Sequence, residues 1–467
     1  MVFSSMTFLC VFLPVVFLLY YIIPSLACRN ILLIISSLLF YAYGEPVYVL
    51  LMIVSTVMNY LFGRLLGGSR QGHRRLVLVL AVVCNLGMLG FFKYTDMLIS
   101  TGNALFHTEM ELTHLALPVG ISFFTFQAMS YVIDVYRGDV GSQKNYLDVL
   151  LYISFFPQLI AGPIVKYHDI QAQIRNRSAD FQEIASGFRR FTVGLGKKVL
   201  ISNTMALAAD GIFNAGSGNI NIFGAWLGAF AYMMQIYYDF SGYSDMAIGL
   251  GHMFGFHFLE NFEYPYISRN IKEFWRRWHI SLSTWFKEYL YIPLGGNRKG
   301  KLRTCLNKII VFLCTGLWHG ANWTFVVWGA FHGLFLLLEE VLPVRKLPKV
   351  LGHIYALFVV GIGFVIFRAE TIHEGIGMIG QMFAGLDFSA ARTAAALEYL
   401  TPMFLFMSAA AVIGCGPISG WIRSKAAEKP AAAFLRPASY AASVLLLLVC
   451  MLSLASGAYN PFIYFRF

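Results

Sequence analysis

Apolar stretches about as long as a bilayer-crossing helix recur from one end of this chain to the other. They fall near residues 6–24, 31–43, 47–63, 76–92, 117–135, 147–163, 191–210, 220–238, 243–258, 305–318, 322–341, 350–367, 400–415 and 438–456, judged against the roughly 20 residues that span a hydrocarbon core. In lipid every backbone polar group must be satisfied inside the protein, which leaves helical bundles and closed barrels. The runs lack the alternation of barrel strands. The fold class that follows is all-α, a polytopic transmembrane helical bundle. Composition agrees, because 58% of the 467 residues are hydrophobic and only 13% are charged, too few charges to cover a water-facing surface. With no internal repeat and no low-complexity linker, residues 1–467 read as a single membrane-embedded domain.

Charge orients the runs. Basic residues collect in cytoplasmic loops, which is also the plain reading of the net charge of +11. Nothing in the chain resembles a nucleic-acid-reading module. Arg64, Arg70, Arg74 and Arg75 mark one cytoplasmic loop, Lys166, Arg175, Arg177, Arg189 and Arg190 another, and Arg276 to Lys308 a third. Counting back places the N-terminus outside. Arg423, Lys425, Lys429 and Arg436 precede the last run and place the C-terminus outside too. Parity fails if every run crosses. The run at 147–163 holds Phe156-Pro157-Gln158 and Gly162-Pro163, which interrupt a helix and make a re-entrant segment the natural solution. The run at 243–258, with three glycines, is expected to do the same. About eleven spans plus re-entrant and in-plane pieces satisfy the parity.

Two smaller readings belong here. Met1 to Ala27 lacks the basic start of a signal peptide and is expected to stay as the first span. The seven cysteines form no CxxC pair and read as small core residues, neither a disulfide framework nor a metal site. His252, His257 and Asp245 are too weakly spaced to argue for a metal.

Chemistry concentrates in three places. Glu273-Phe-Trp-Arg-Arg-Trp-His279, continuing to Pro293-Leu-Gly-Gly-Asn-Arg298, mixes tryptophan, arginine and histidine as an amphipathic stretch in the cytoplasmic interface would. Its tryptophans fit an aromatic belt equally well. Gly316-Leu-Trp-His319-Gly-Ala-Asn322 lies between basic anchors at Lys308 and Arg345. Two helices of reduced length fit between those anchors, with a turn at the glycines and Asn322. The hairpin would carry His319 deep into the bilayer, where an ionisable group is functional by default; a histidine bonded to a carbonyl is the structural alternative. Tyr237-Tyr-Asp239-Phe-Ser-Gly-Tyr-Ser-Asp245 offers two carboxylates, read as structural anchors or partners for arginines before catalysis.

These stretches resemble the bacterial membrane-bound O-acyltransferases. The resemblance is carried by Trp278-His279-Ile-Ser-Leu-Ser, Tyr291-Ile-Pro-Leu-Gly-Gly-Asn-Arg298, Gly316-Leu-Trp-His319-Gly and Trp328-Gly-Ala-Phe-His332-Gly. Leu117 to Gln127, Ile133-Asp-Val-Tyr-Arg137, Ala161-Gly-Pro163 and Asp239-Phe-Ser-Gly-Tyr-Ser244 extend it over nearly the whole chain. It is nearest to the alginate O-acetylase branch. The teichoic-acid D-alanine transfer protein is a cousin that generally lacks the Pro-Leu-Gly-Gly-Asn-Arg stretch.

The resemblance implies a fold, an activity and a cast of residues. An acyl group, acetyl in this branch, passes from a cytoplasmic thioester donor, acetyl-CoA or an acyl-carrier protein, toward hydroxyls of an extracytoplasmic polysaccharide, with no tightly bound cofactor. The location implied is the bacterial cytoplasmic membrane. The family's invariant histidine falls on His319, suited to general base chemistry, and its second on His279, which would orient the donor or stabilise an oxyanion. His332 and Asp239 stand as supporting neighbours, with a packing role equally open for His332. Arg276, Arg277, Arg298 and Arg303 fit both a positive-inside signal and an anionic donor. The ending Asn460-Pro461-Phe-Ile-Tyr464-Phe-Arg-Phe467 reads either as interfacial belt or, by resemblance, as an extracytoplasmic aromatic tail. On the second reading the Tyr464 hydroxyl relays the acyl group to an esterase-like or acyltransferase-like partner protein.

Overall fold

The computed structural model describes residues 1–68, 71–418, 432–457 and 459–463, without the side chains of 71, 345, 395 and 432–436. Helices make up the regular structure, and no strand occurs among the described residues. Arg70, Arg423, Lys425, Lys429 and Tyr464, on which part of the charge and tail reading rests, lie outside the described residues, as does the side chain of Arg436. The chain divides into two compact units, Met1–Phe191 with Met246–Leu259, and Thr192–Asp245 with Glu260–Phe467.

The first unit contains α1 (Leu13–Ile22), α2 (Leu26–Ala42), α3 (Tyr48–Gly68), α4 (Gln71–Phe106), α5 (Ile121–Arg137), α6 (Tyr146–Ser154), α7 (Phe156–Leu159), α8 (Tyr167–Arg175) and most of α9 (Phe181–Gly196). Helix α5 is buried almost throughout and is bounded by Gly120 and Gly138, both in the left-handed region that glycine reaches without strain. The run at 147–163 breaks as its prolines require. Helix α6 stops at Ser154, Pro157 sits in the first turn of α7, and the chain stays non-helical until α8. The protein itself satisfies the interrupted backbone. Tyr152 donates to the Val165 carbonyl at 2.8 Å, and the Phe156 N–H donates to Ser37 Oγ at 3.1 Å, as buried irregular backbone demands.

The second unit contains α10 (Asn203–Ala215), most of α11 (Ile222–Met253), α12 (Ile271–Arg277), α13 (Ile280–Phe286), α14 (Lys301–His319), α15 (Trp323–Val341), α16 (Lys349–Arg368), α17 (Ile372–Ala384), α18 (Ala390–Leu397), α19 (Pro402–Gly414) and α20 (Ala432–Ala455). Its core is aromatic, with Tyr232, Tyr237, Trp278, Trp328 and Phe364 buried together.

One expectation is corrected here. The run at 243–258 is not a separate piece, because α11 continues unbroken from Ile222 to Met253 and ends only there, before Gly255 at φ 78°. Gly249 in that run, and Gly242 just before it, serve contact with α9. Within the first unit a Cβ at Gly249 would stand 2.6 Å from the Gly187 carbonyl oxygen, and within the second a Cβ at Gly242 would stand 2.8 Å from the Gly194 oxygen. Small residues let helix backbones approach this closely. Helix-forming context therefore overrides the weak breaking tendency of glycine, which proline in 147–163 does not share.

Among the described residues five helices are long and apolar enough to cross a membrane: Tyr48–Gly68, Gly72–Phe106, Trp323–Val341, Lys349–Arg368 and Pro437–Ala455. Phe8–Ile22, Leu26–Ala42 and Pro402–Gly414 are shorter apolar helices.

Candidate active site

The hairpin expected around His319 is present in the second unit. Helix α14 ends on His319, and the Asn322 side chain caps α15 by accepting from the Thr324 N–H. The two helices touch backbone to backbone. A Cβ at Gly316 would stand 2.2 Å from the Phe325 carbonyl oxygen, and one at Gly329 would stand 2.3 Å from that of Phe312. No other residue fits either place without displacing the partner helix.

His279 is delivered differently. Asn270 caps α12 by accepting from the Glu273 N–H at 2.8 Å. Helix α12 then ends, and His279 adopts φ 45° and ψ 54° before α13 begins. A left-handed non-glycine residue persists only where its surroundings over-determine it. Here the segment from Asn261 to Glu263 does so. The Glu263 N–H donates to the Arg277 carbonyl and the Ile280 N–H to the Asn261 carbonyl, both at 2.9 Å.

The Asn261 side chain fixes the imidazole. Its Oδ1 accepts from the Ser281 N–H at 3.2 Å and the Ser281 hydroxyl at 2.9 Å, and its Nδ2 donates to Ser244 Oγ at 3.0 Å. A backbone N–H accepts nothing, so the oxygen faces Ser281 and, at 3.2 Å, His279 Nδ1. Nδ1 is therefore the protonated nitrogen and Nε2 carries the lone pair. Nε2 is buried and has no hydrogen-bond partner among the described residues. Burial holds the His279 pKa well below the usual imidazole range, and His319 pushes the same way.

The two imidazoles are neighbours, with ring centroids 6.4 Å apart. His319 is boxed by Trp318, Trp328 and Phe367 at 5.0, 5.2 and 5.1 Å. Phe240 meets His279 edge-on at 4.5 Å. His332 is also buried. It packs against Trp275 and against Trp328, each at 5.1 Å, so Trp328 contacts His319 and His332 alike.

The remaining expected residues are placed as follows. Asp239 turns to Lys198 and the C-terminal segment, while its sequence neighbour Phe240 meets His279. Arg277 is engaged by Glu273 and the Glu263 carbonyl. Arg276, Arg298 and Arg303 are exposed. Asp245 pairs with Lys197, and His257 with Glu183. Sequence reasoning missed Asn261 and Lys198, and it quoted Ser244 within a motif without giving it a role. An asparagine in a polar loop carries no signal that distinguishes it from a turn former.

The model of the membrane-bound O-acyltransferase family matches residues 140–346, which include His279, His319 and His332. Over the whole of both chains this sequence is 41% identical to the Pseudomonas aeruginosa protein named Probable alginate O-acetylase AlgI. The chain belongs to the membrane-bound O-acyltransferase family. As a member it is an acyltransferase and a multi-pass membrane protein. It is similar also to the Peptidoglycan O-acetyltransferase of Helicobacter pylori, at 37% identity over 81% of this chain and 80% of that one. The Teichoic acid D-alanyltransferase of Bacillus subtilis is more distant, at 28% identity over 55% of this chain and 70% of that one.

Proposed function

We propose that this acyltransferase moves an acetyl group from a cytoplasmic thioester donor, acetyl-CoA or an acyl-carrier protein, to hydroxyls of an extracytoplasmic polysaccharide. It would act in the bacterial cytoplasmic membrane, with about eleven crossings and both termini outside. The polysaccharide acceptor rests on relatives named for alginate and peptidoglycan acetylation. Acetyl is favoured over D-alanyl because those matches are longer and stronger than the teichoic-acid one.

The observation that carries the reading is the buried pair of imidazoles with one tautomer fixed. In the proposed step His319 takes the proton of an attacking hydroxyl. The oxygen joins the thioester carbonyl carbon, the C–S bond breaks, and the thiolate leaves to be protonated. The lone pair on His279 Nε2 can accept a hydrogen bond or a proton and cannot donate one in this tautomer. That pattern favours orientation of an O–H or N–H by His279 over stabilisation of an oxyanion. Trp318, Trp328 and Phe367 exclude water from the pair, which strengthens every polar interaction within it.

The attacking hydroxyl is proposed to be that of Tyr464. The phenol ester formed passes its acyl group to an extracytoplasmic partner protein and regenerates the tyrosine, dividing transport from polymer modification. Arg276, Arg298 and Arg303 are exposed and suit the phosphates of coenzyme A or an acidic carrier protein. The test is reconstitution with labelled acetyl donor. Tyr464→Phe is expected to block polymer acetylation at unchanged protein abundance, and intact mass should show an acetyl adduct on the wild-type C-terminal peptide when the partner is left out. Full acetylation by the Phe variant would remove the relay.

A further inference from the structure

The C-terminal segment is gripped by a buried ion pair in the second unit. Lys198 lies in the π-helical stretch Lys197–Ser202, and Asp239 lies in α11. Nζ and Oδ1 are 2.8 Å apart, and the two side chains are 2% and 1% exposed. A buried pair is costly to desolvate, and its retention calls for further partners that use the remaining donors and lone pairs.

Those partners are the tail's own backbone. Asp239 Oδ2 accepts from the Ile463 N–H at 2.8 Å. The Lys198 ammonium donates to the Pro461 carbonyl and, at 3.1 Å, to Asn203 Oδ1. Asn203 Nδ2 in turn donates to Asn460 Oδ1 at 3.2 Å. Phe462 packs on the Tyr243 ring at 5.0 Å, and both Phe462 and Ile463 are buried. One residue further back, the Tyr459 hydroxyl donates to Asp210 Oδ2 at 2.8 Å, and Asp210 is itself paired with Arg368.

The same helix holds the imidazole. Asp239 grips Ile463 while the next residue, Phe240, meets His279 at 4.5 Å. Tyr243 stacks on Phe462 while the next residue, Ser244, bonds Asn261, which fixes His279. Residues 239 to 244 span only about 7.5 Å along a helix axis. A short piece of α11 thus serves the tail and the histidine together.

We propose that Lys198 and Asp239 are positioning residues for acyl transfer: with Tyr243 they clamp residues 460–463 on α11 and set the register of the C-terminal segment relative to the His279–His319 pair. The polarity of the clamp matters. The carboxylate meets a backbone N–H and the ammonium meets a carbonyl, so the pair reads the direction of the tail chain. The proposal rests on the relay reading for what the clamped segment then does, and the clamp itself is tested apart from it.

The experiment uses the full chain in proteoliposomes with labelled acetyl donor, the polysaccharide acceptor and the extracytoplasmic partner. Protein abundance, donor KM, kcat and hydrogen exchange of the C-terminal peptide are read together. In the exchanged double variant Lys198→Asp with Asp239→Lys the ion pair persists while the groups facing the tail are reversed. The clamp predicts faster exchange at 460–463 and kcat lower by about tenfold to a hundredfold, with donor KM within about twofold. Wild-type kcat in that variant would make the pair structural alone and overturn the proposal. Asn460→Ala and Phe462→Ala alter only the tail side, so they report even if the exchanged variant fails to accumulate. Each is expected to lower kcat at unchanged donor KM, and wild-type kcat in both overturns the clamp. Tyr464→Phe separates the two ideas. Normal transfer there with impaired Phe462→Ala sinks the relay and leaves the clamp. A dead Tyr464→Phe with normal tail-side variants sinks the clamp and leaves the relay.

Discussion

His319 and His332 share one tryptophan and differ in almost everything else. Both touch Trp328 and both are buried in aromatic rings. His319 closes α14 at the hairpin turn, where a second imidazole lies 6.4 Å away. His332 sits inside α15, and a Cβ at Gly363 would stand 2.7 Å from its Nε2. His319 thus stands at a helix end beside a candidate chemical partner, and His332 stands in a helix interior pressed against another backbone. The lesson is that a buried histidine becomes a candidate for chemistry through the partners around its ring.

That contrast can be broken most sharply at the turn. His319→Ala is expected to lower acyl transfer by about 10²–10⁴-fold, with insertion and abundance unchanged. Near wild-type transfer by purified His319→Ala would remove it from the base role and erase the distinction. His279→Ala should also be severe.

Next in size is the residue that fixes the tautomer. Asn261→Ala should reduce kcat by roughly 10–100-fold, by analogy with the partners that orient metal-bound histidines. Ser281→Ala, which removes one of several donors to Asn261, should cost much less. Equal losses would mean that the local fold, and not the tautomer, is being read.

At the other end of Trp328 the expected loss is mechanical. His332→Ala should destabilise by about 2–5 kcal/mol through the cavity it leaves, seen as a lower midpoint of thermal unfolding in detergent. Transfer below that midpoint should stay within about threefold of wild type. Gly363→Ala should act through the same ring by overpacking, by about 1–3 kcal/mol. A loss of kcat matching that of His319→Ala would give His332 a chemical role and dissolve the contrast.

The smallest effect is expected far from both rings. Arg298→Glu with Arg303→Glu should raise donor KM severalfold, more at low ionic strength, since exposed charges are screened by salt. Unchanged donor KM with collapsed protein levels would leave these arginines as topology signals only.

Much of the second unit was legible before any coordinates. Lys308 and the Gly316 to Asn322 turn implied a hairpin with a histidine at its tip, and α14 does end on His319. Pro157 and Gly162-Pro163 implied a broken segment, and α6 and α7 are separate. The reading fails at the start of residues 243–258, where Gly249, which looks like a breaker, is a contact point between α9 and α11. A glycine's effect depends on what faces it, and the facing backbone at Gly187 is far away in the chain.

The sequence by itself determined the class of molecule: a helical membrane protein of the O-acyltransferase family, with its candidate histidines confined to a few motifs. Hydrophobicity, charge and the tendency of proline to interrupt helices act locally, so they can be read along the chain. Only the tertiary structure decided that Asn261 sets the His279 tautomer and that Lys198 and Asp239 hold residues 460–463. Hydrogen bonds between residues 18, 224 and 263 positions apart depend on directions and distances of a few tenths of an ångström, and no local pattern encodes which distant groups will meet.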